Sequence, residues 1–302
     1  MSNNELISEK IEFPIHGEFI RGTLYLPSNH TTNKLPGVVL AHGWAMTAGG
    51  DLEDYAQTIA QHHIICLTID FRNLGASTGQ PRQHLDPHQQ IEDLRSAIDY
   101  LQQRPEVDSE RIGLWGSSYA GGHVISVSGI DPRVKVAVSQ VPTISGYKAK
   151  QETLTKDELV KRAQRFMQAR LSREHGIDTE IIKTVSNDGQ PCAYSDFASY
   201  SYMSKQAERC PNWQNFTTVA SLDLAQTYEP ESYIYRIEDT AFMMIIASDD
   251  TTTPTNLQQE AFEKIPSANK ELVTVSGGHY SVYEERFDET SQKAAEWFIK
   301  HL

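Results

Sequence analysis

GLWGSSYAGG, residues 113–122, sets two adjacent serines between glycines, directly after the apolar run RIGLW. If a strand turns at once into a helix there, the residues two before and two after the serine at the turn must be small. A larger side chain at either place collides with neighbouring backbone. One frame meets this demand: Gly116-Ser117-Ser118-Tyr119-Ala120. Centring on Ser117 would crowd Trp115 and Tyr119 into the tight positions. Ser118 is the candidate nucleophile, and Ser117 its neighbour at the turn.

The flanking sequence supports a strand–turn–helix there. EKIEFPI (9–15) and EFIRGTLYLP (18–27) alternate apolar and polar residues and predict an antiparallel hairpin. LPGVVLAHG (35–43), IICLTID (64–70), RIGLWGS, RVKVAVSQVP (133–142) and TAFMMIIAS (240–248) read as strands, the continuous apolar runs among them as buried on both faces. ELVTVS (271–276) adds a shorter strand. Between them lie helical segments, among them DPHQQIEDLRSAIDYLQQR (86–104), with Asp86 as a cap ahead of Pro87. Alternation of this kind predicts an α/β fold: a mostly parallel sheet, made mixed by the first hairpin, with helices on both faces. Residues 143–230 break the rhythm. They are helical at KDELVKRAQRFMQARLSREHG (156–176), then aromatic and irregular at PCAYSDFASYSYMS (191–204). The expected organisation is one core domain, 1–142 with 231–302, and a helical cap or lid at 143–230.

A serine hydroxyl needs a base within hydrogen-bond reach. Beyond the helix start after Ser118 the histidines are His175, His279 and His301. His301 is at the C-terminus, and His175 lies in a charged helical run. His279 follows ELVTVS through Gly277-Gly278, at the carboxyl end of a strand, where catalytic groups of parallel sheets gather. It is the expected base. An acid to orient it belongs after TAFMMIIAS, where Asp249 and Asp250 both qualify. Two backbone N–H donors complete such a site. One is that of Tyr119, at the helix N-terminus; the other is that of Trp44, after the His42-Gly43 turn.

These stretches together resemble the α/β-hydrolase superfamily, and most closely its dienelactone-hydrolase-like and acyl-esterase branch with serine nucleophiles. AHGW (41–44), IDFRNLGASTGQPR (69–82), VDSERIGLWGSSYAGGH (107–123), ASDDTTTP (247–254) and GGHYSVY (277–283) occur in the family order, across the chain except for 143–230. In that family the catalytic aspartate stands four residues before a proline, which selects Asp250 ahead of Pro254. The resemblance implies Ser118 as nucleophile, His279 as base, and Trp44 and Tyr119 as oxyanion donors. It further implies cleavage of a carboxylic ester or thioester through an acyl-enzyme. A serine exopeptidase, an acyltransferase and a non-catalytic small-molecule binder are the alternatives. Asn73 replaces a glycine of the family's DxRGxG loop, and asparagine tolerates the left-handed backbone needed there. Asp70 and Arg72 are expected to pair and hold that loop. Ala120 stands where glycine is more usual.

The bulk numbers narrow the field. A formal charge of −13 over 302 residues argues against nucleic acid and anionic membranes as partners. The expected partner is a small acyl substrate, with a homodimer left open. No cofactor glycine pattern occurs, and no metal is expected: His84 and His88 lack a third ligand. Cys66, Cys192 and Cys210 are widely spaced and expected as free thiols. MSNNELISEKIEF lacks a signal-type apolar stretch, so the expected location is cytoplasmic. His123 is expected to be packed. Within the insert, Tyr194, Phe197 and Tyr200 recur every three residues, as an aromatic pocket wall or a packed helix face.

Overall fold

The computed structural model describes residues 5–28, 34–174 and 180–302 of the chain; His175 and the first four residues lie outside them. β1 (Leu6–Ile15) and β2 (Glu18–Pro27) form the expected antiparallel hairpin. Its two-residue loop, His16-Gly17, has φ of 47° and 81°. Both central residues at positive φ give the turn whose twist matches paired strands.

The alternation then proceeds through β3 (Leu35–Ala41), α1 (Asp51–Ala60), β4 (Ile65–Asp70), α2 (Pro87–Gln102), β5 (Val107–Ser117), α3 (Tyr119–Ser128) and β6 (Val134–Gln140). Next comes the insert: α4 (Gly146–Thr153), α5 (Lys156–Glu174), β7 (Ile181–Val185), β8 (Cys192–Tyr194), α6 (Phe197–Arg209), β9 (Thr217–Thr218) and α7 (Val219–Ala225). After a 3₁₀ helix at Pro230–Arg236, the core resumes with β10 (Ala241–Ala247), α8 (Thr255–Glu263), β11 (Lys270–Val275) and α9 (Phe287–His301). The eight-stranded sheet has the order β1-β2-β4-β3-β5-β6-β10-β11, and within it only β2 runs against its neighbours.

The continuous apolar runs serve two cores at once, because successive residues of a strand point to opposite faces. In β3, Val39 and Ala41 join one core while Val38 and Leu40 join the other. In β10, Phe242, Met244 and Ile246 face the side of α2 and α3, while Met243 and Ile245 face that of α1 and α9. At the start of α2, Asp86 accepts from the N–H groups of His88 and Gln89 at 2.9 and 3.3 Å, as the cap reading expects.

Two local expectations need correction. The insert is not wholly helical: β8-β7-β9 form a small second sheet, β7 parallel to β8 and antiparallel to β9. Asp70 and Arg72 do not pair. The Asp70 carboxylate accepts from the N–H groups of Ala48 (2.6 Å) and Ala76 (2.8 Å). Arg72 instead donates to Asp93 at 2.5 Å and Glu92 at 2.6 Å on α2. The strand ends at Asp70, so alternation no longer keeps residues two apart on one side. Asn73 does adopt the left-handed backbone, with φ 70°.

Candidate active site

Sheet register gathers the ends of β3, β5, β6, β10 and β11 at one edge. Ala41 is opposite Gly116, Ser117 opposite Gln140, and Ala247 opposite Val275. The loops that follow carry Trp44, Ser118, Asp250 and His279.

Ser118 sits between β5 and α3 with φ 57° and ψ −116°. A non-glycine residue in such a conformation stores strain of ~1–3 kcal/mol and marks a turn held by its surroundings. The hold is visible: the Ser118 N–H donates to Gln140 O at 2.8 Å, and its carbonyl accepts from Thr143 N at 2.9 Å. The small residues before the turn are required as argued. A Cβ on Gly116 would lie 2.5 Å from Ala120 O, and one on Gly43 would lie 2.9 Å from Ser118 Cβ. Ala120 itself is fully buried in the core.

His279 Nε2 lies 3.0 Å from Ser118 Oγ, and His279 Nδ1 lies 2.7 Å from Asp250 Oδ2. Of the two aspartates, Asp250 is the one on the histidine; Asp249 is exposed and accepts from Ser248 Oγ at 2.6 Å. Asp250 Oδ1 accepts from the N–H groups of Thr252 and Thr253, both at 2.9 Å. Burial alone would raise the pKa of this carboxyl. The His279 ring and the Thr253 donors outweigh it and hold the pKa below the usual value. Thr253 was not anticipated from the sequence. Its hydroxyl donates to Val141 O at 2.9 Å and lies 2.8 Å from Asp250 Oδ2 and 3.2 Å from His279 Nδ1. The run of three threonines after Asp250 was its only trace in the sequence.

Tyr119 opens α3, so its N–H has no acceptor within the helix. Neither that N–H nor the one of Trp44 has an acceptor among the described residues. The Trp44 and Tyr119 rings meet edge to face at 4.9 Å.

Two cavities meet at Ser118. The larger, an open space of about 770 Å³, is walled by Trp44, Tyr119 and Pro254 from the core and by α4, α5, β8 and α7 of the insert. The smaller, about 480 Å³, is lined by His42, Asp51, Tyr202, His279, Tyr280 and Tyr283 among others. Tyr194 lines both. Its two companions differ. Phe197 is 80 % exposed, and Tyr200 packs beside Tyr202 and Met203; neither lines either cavity. Only one of the three therefore has the position that an aromatic pocket wall requires.

Four other histidines among the described residues lie outside this hydrogen-bonded chain. His123 is fully buried, with Nδ1 2.6 Å from Tyr228 Oη and Nε2 2.8 Å from Gln90 Oε1; burial pushes its pKa down to about 3. His42 packs edge-on to Phe71, and burial pushes its pKa down to about 4. His84 Nδ1 lies 2.9 Å from Thr218 Oγ1, and His88 is exposed. All three cysteines are free thiols. Among the described residues there is no cluster of three or more side chains able to hold a metal, and no helix is long and apolar enough to cross a membrane.

Comparison with known proteins agrees with this architecture. Residues 17–281 match the model of the X-Pro dipeptidyl-peptidase (S15) family. The chain is 31 % identical to the polyketide transferase af380 of Aspergillus fumigatus, over 97 % of this chain and 98 % of that one. It is 29 % identical to the thiohydrolase aneE of Aspergillus aculeatus, over 89 % of this chain and 85 % of the other. The crystal structure of the α/β-hydrolase GrgF from Penicillium sp. sh18 superposes with a TM-score of 0.80 at 24 % identity, covering 98 % and 99 % of the two chains. With the sheet order, the turn at Ser118 and a family match across most of its length, the chain belongs to the X-Pro dipeptidyl-peptidase (S15) family and has the α/β-hydrolase fold.

Proposed function

We propose that this protein is a serine hydrolase that opens a carboxylic ester or thioester through an acyl-enzyme on Ser118. His279 takes the Ser118 proton as the hydroxyl attacks, then gives it to the leaving oxygen or sulfur. Asp250 holds the imidazole in the required tautomer. The N–H groups of Trp44 and Tyr119 receive the developing oxyanion. Water on His279 then releases the acid. The observation that carries this reading is the unbroken hydrogen-bonded chain from Asp250 through His279 to Ser118, ending where two cavities meet.

The cavities have distinct parts in this scheme. The leaving group must lie on the side of the histidine that protonates it. His279 lines the smaller cavity and not the larger, so the smaller takes the leaving group and the larger takes the acyl chain. Residues 143–230 act as a cap, building most of the acyl wall. Thioesters are favoured among substrates, in keeping with a thiohydrolase and a polyketide transferase among the relatives. Transfer of the acyl group to an alcohol is the second reading, supported by the transferase at 31 % identity. A dipeptidyl-peptidase role fits less well. An N-terminal dipeptide would put its ammonium group into the acyl cavity, where the charged lining residues are Lys150 and Arg162.

Treatment with a small fluorophosphonate, followed by peptide mass spectrometry, tests the nucleophile. One adduct on Ser118 is expected, with turnover of acyl-N-acetylcysteamine thioesters lost by ~10³-fold or more in Ser118→Ala. An adduct elsewhere, or turnover that survives in the variant, defeats the assignment. Adding a primary alcohol and following ester formation separates hydrolysis from transfer.

A further inference from the structure

The acyl cavity is apolar over most of its wall, with Ile144, Ala149, Leu222 and Leu257 among its lining residues, yet Lys150 and Arg162 also line it. Lys150 is on α4, one position after Ala149, and Arg162 is on α5. In a chain of net charge −13, a cavity with two cations and no acid among the described residues that line it runs against the background. Among the described residues neither cation takes part in a salt bridge. Arg162 stacks its guanidinium over the Phe166 ring at 4.8 Å, and its Nε is buried without a hydrogen-bond partner. Asp223, close enough for Arg162 to feel its charge, is bonded by Arg170 instead.

Cations without an ion-pair partner in a mostly apolar wall are costly unless a ligand completes them. Burial and then the charge of Arg162 push the Lys150 ammonium down to about 8. The two cations repel each other, and one anion between them would relieve both desolvation and repulsion. Resting on the acyl-enzyme reading and on the larger cavity as the acyl side, we infer that the preferred acyl group carries a carboxylate at its far end, bound by Lys150 and Arg162. The substrate class is the mono-thioester or mono-ester of a dicarboxylic acid, its methylene stem against the apolar wall.

The test uses matched pairs of N-acetylcysteamine thioesters over a series of chain lengths. In each pair the far end is a free carboxylate or its methyl ester. Wild type should favour the free acid in kcat/KM by about 10- to 100-fold at the best length. In Lys150→Met and Arg162→Met this ratio should collapse towards one. Because the ratio is taken within each variant, partial misfolding cancels from it. In parallel, calorimetry on Ser118→Ala with a dicarboxylic acid's monomethyl ester and dimethyl ester reads the same preference without turnover. Tighter binding of the monoester, lost when Lys150→Met is added, supports the site. A ratio near one at every length in wild type, or one that neither variant changes, overturns it while leaving Ser118 labelling intact. Loss of that labelling would instead strike the nucleophile, and calorimetry would then decide the carboxylate site alone.

Discussion

Asp250 Oδ1 accepts two backbone N–H groups, while Oδ2 faces His279 Nδ1 and the Thr253 hydroxyl. In Asp250→Asn the amide oxygen must stay on the Thr252 and Thr253 N–H groups, which turns the NH₂ towards His279. An NH₂ there requires an unprotonated Nδ1, so the imidazole proton moves to Nε2 and points at Ser118. The base is then unable to accept. The expected result is a fall in kcat of ~10⁴ with KM changed little; a loss below about tenfold would remove Asp250 from the mechanism. That Ser118 and His279 come within hydrogen-bond reach was legible in the sequence, because the turn demands small neighbours and few histidines lie downstream. Asp250 and Asp249 stayed level on the residues alone, since choosing between adjacent side chains needs the loop's direction. The Arg72 partners on α2 were hidden for a related reason: a contact across some twenty positions leaves no periodic trace.

The β5–turn–α3 unit ties this chemistry to the sheet. Gly116 lets the first turn of α3 close over the strand, and a Cβ there would meet Ala120 O and also Val124 Cγ2 at 2.7 Å. Gly116→Val should destabilise the protein by ~1–3 kcal/mol through overpacking and displace Ser118. Urea unfolding together with fluorophosphonate labelling would register both effects; normal labelling would mean that the turn tolerates what its packing forbids. Farther along α3, His123 bridges Tyr228 and Gln90 as a neutral ring, its pKa pushed from 6.5 to about 3 by burial. A histidine depressed in the folded state contributes stability that is complete above pH 6.5 and is lost as pH falls towards 3. Measured across that interval, wild-type stability should drop relative to His123→Gln by up to ~1.4 kcal/mol per pH unit. Parallel curves would show that the buried ring takes up its proton without consequence. The long strands were readable as apolar runs, whereas β8 and β9, three and two residues long, are too short for any period to emerge.

At the scale of the molecule, Ser118, His279 and Asp250 belong to the core, while the insert supplies much of the wall around them. The two parts share a packed cluster: Met46 and Tyr280 from the core with Val185, Tyr202 and Met203 from the insert. Tyr202 stacks on Tyr280 with ring centroids 4.6 Å apart and donates to the Asp51 carboxylate. Ser199 Oγ adds a hydrogen bond with Tyr280 Oη at 2.8 Å. The two-pronged ion pair of Arg209 with Asp54, by contrast, is largely exposed and worth no more than ~1 kcal/mol. The tyrosine cluster is thus one anchor of the insert, beside the hydrogen bonds that Gln83 and Leu85 make to residues 214–221, and Tyr202→Ala should cost ~3–5 kcal/mol. If 143–230 is a cap, that variant keeps Ser118 reactive towards a small fluorophosphonate, because no residue of the chain Asp250–His279–Ser118 comes from the insert. Its kcat/KM for long acyl thioesters should fall far more than for acetyl thioester, since only the long chains use the insert's wall. Equal losses for both substrates, together with lost labelling, would make the insert part of the catalytic framework and end its description as a cap.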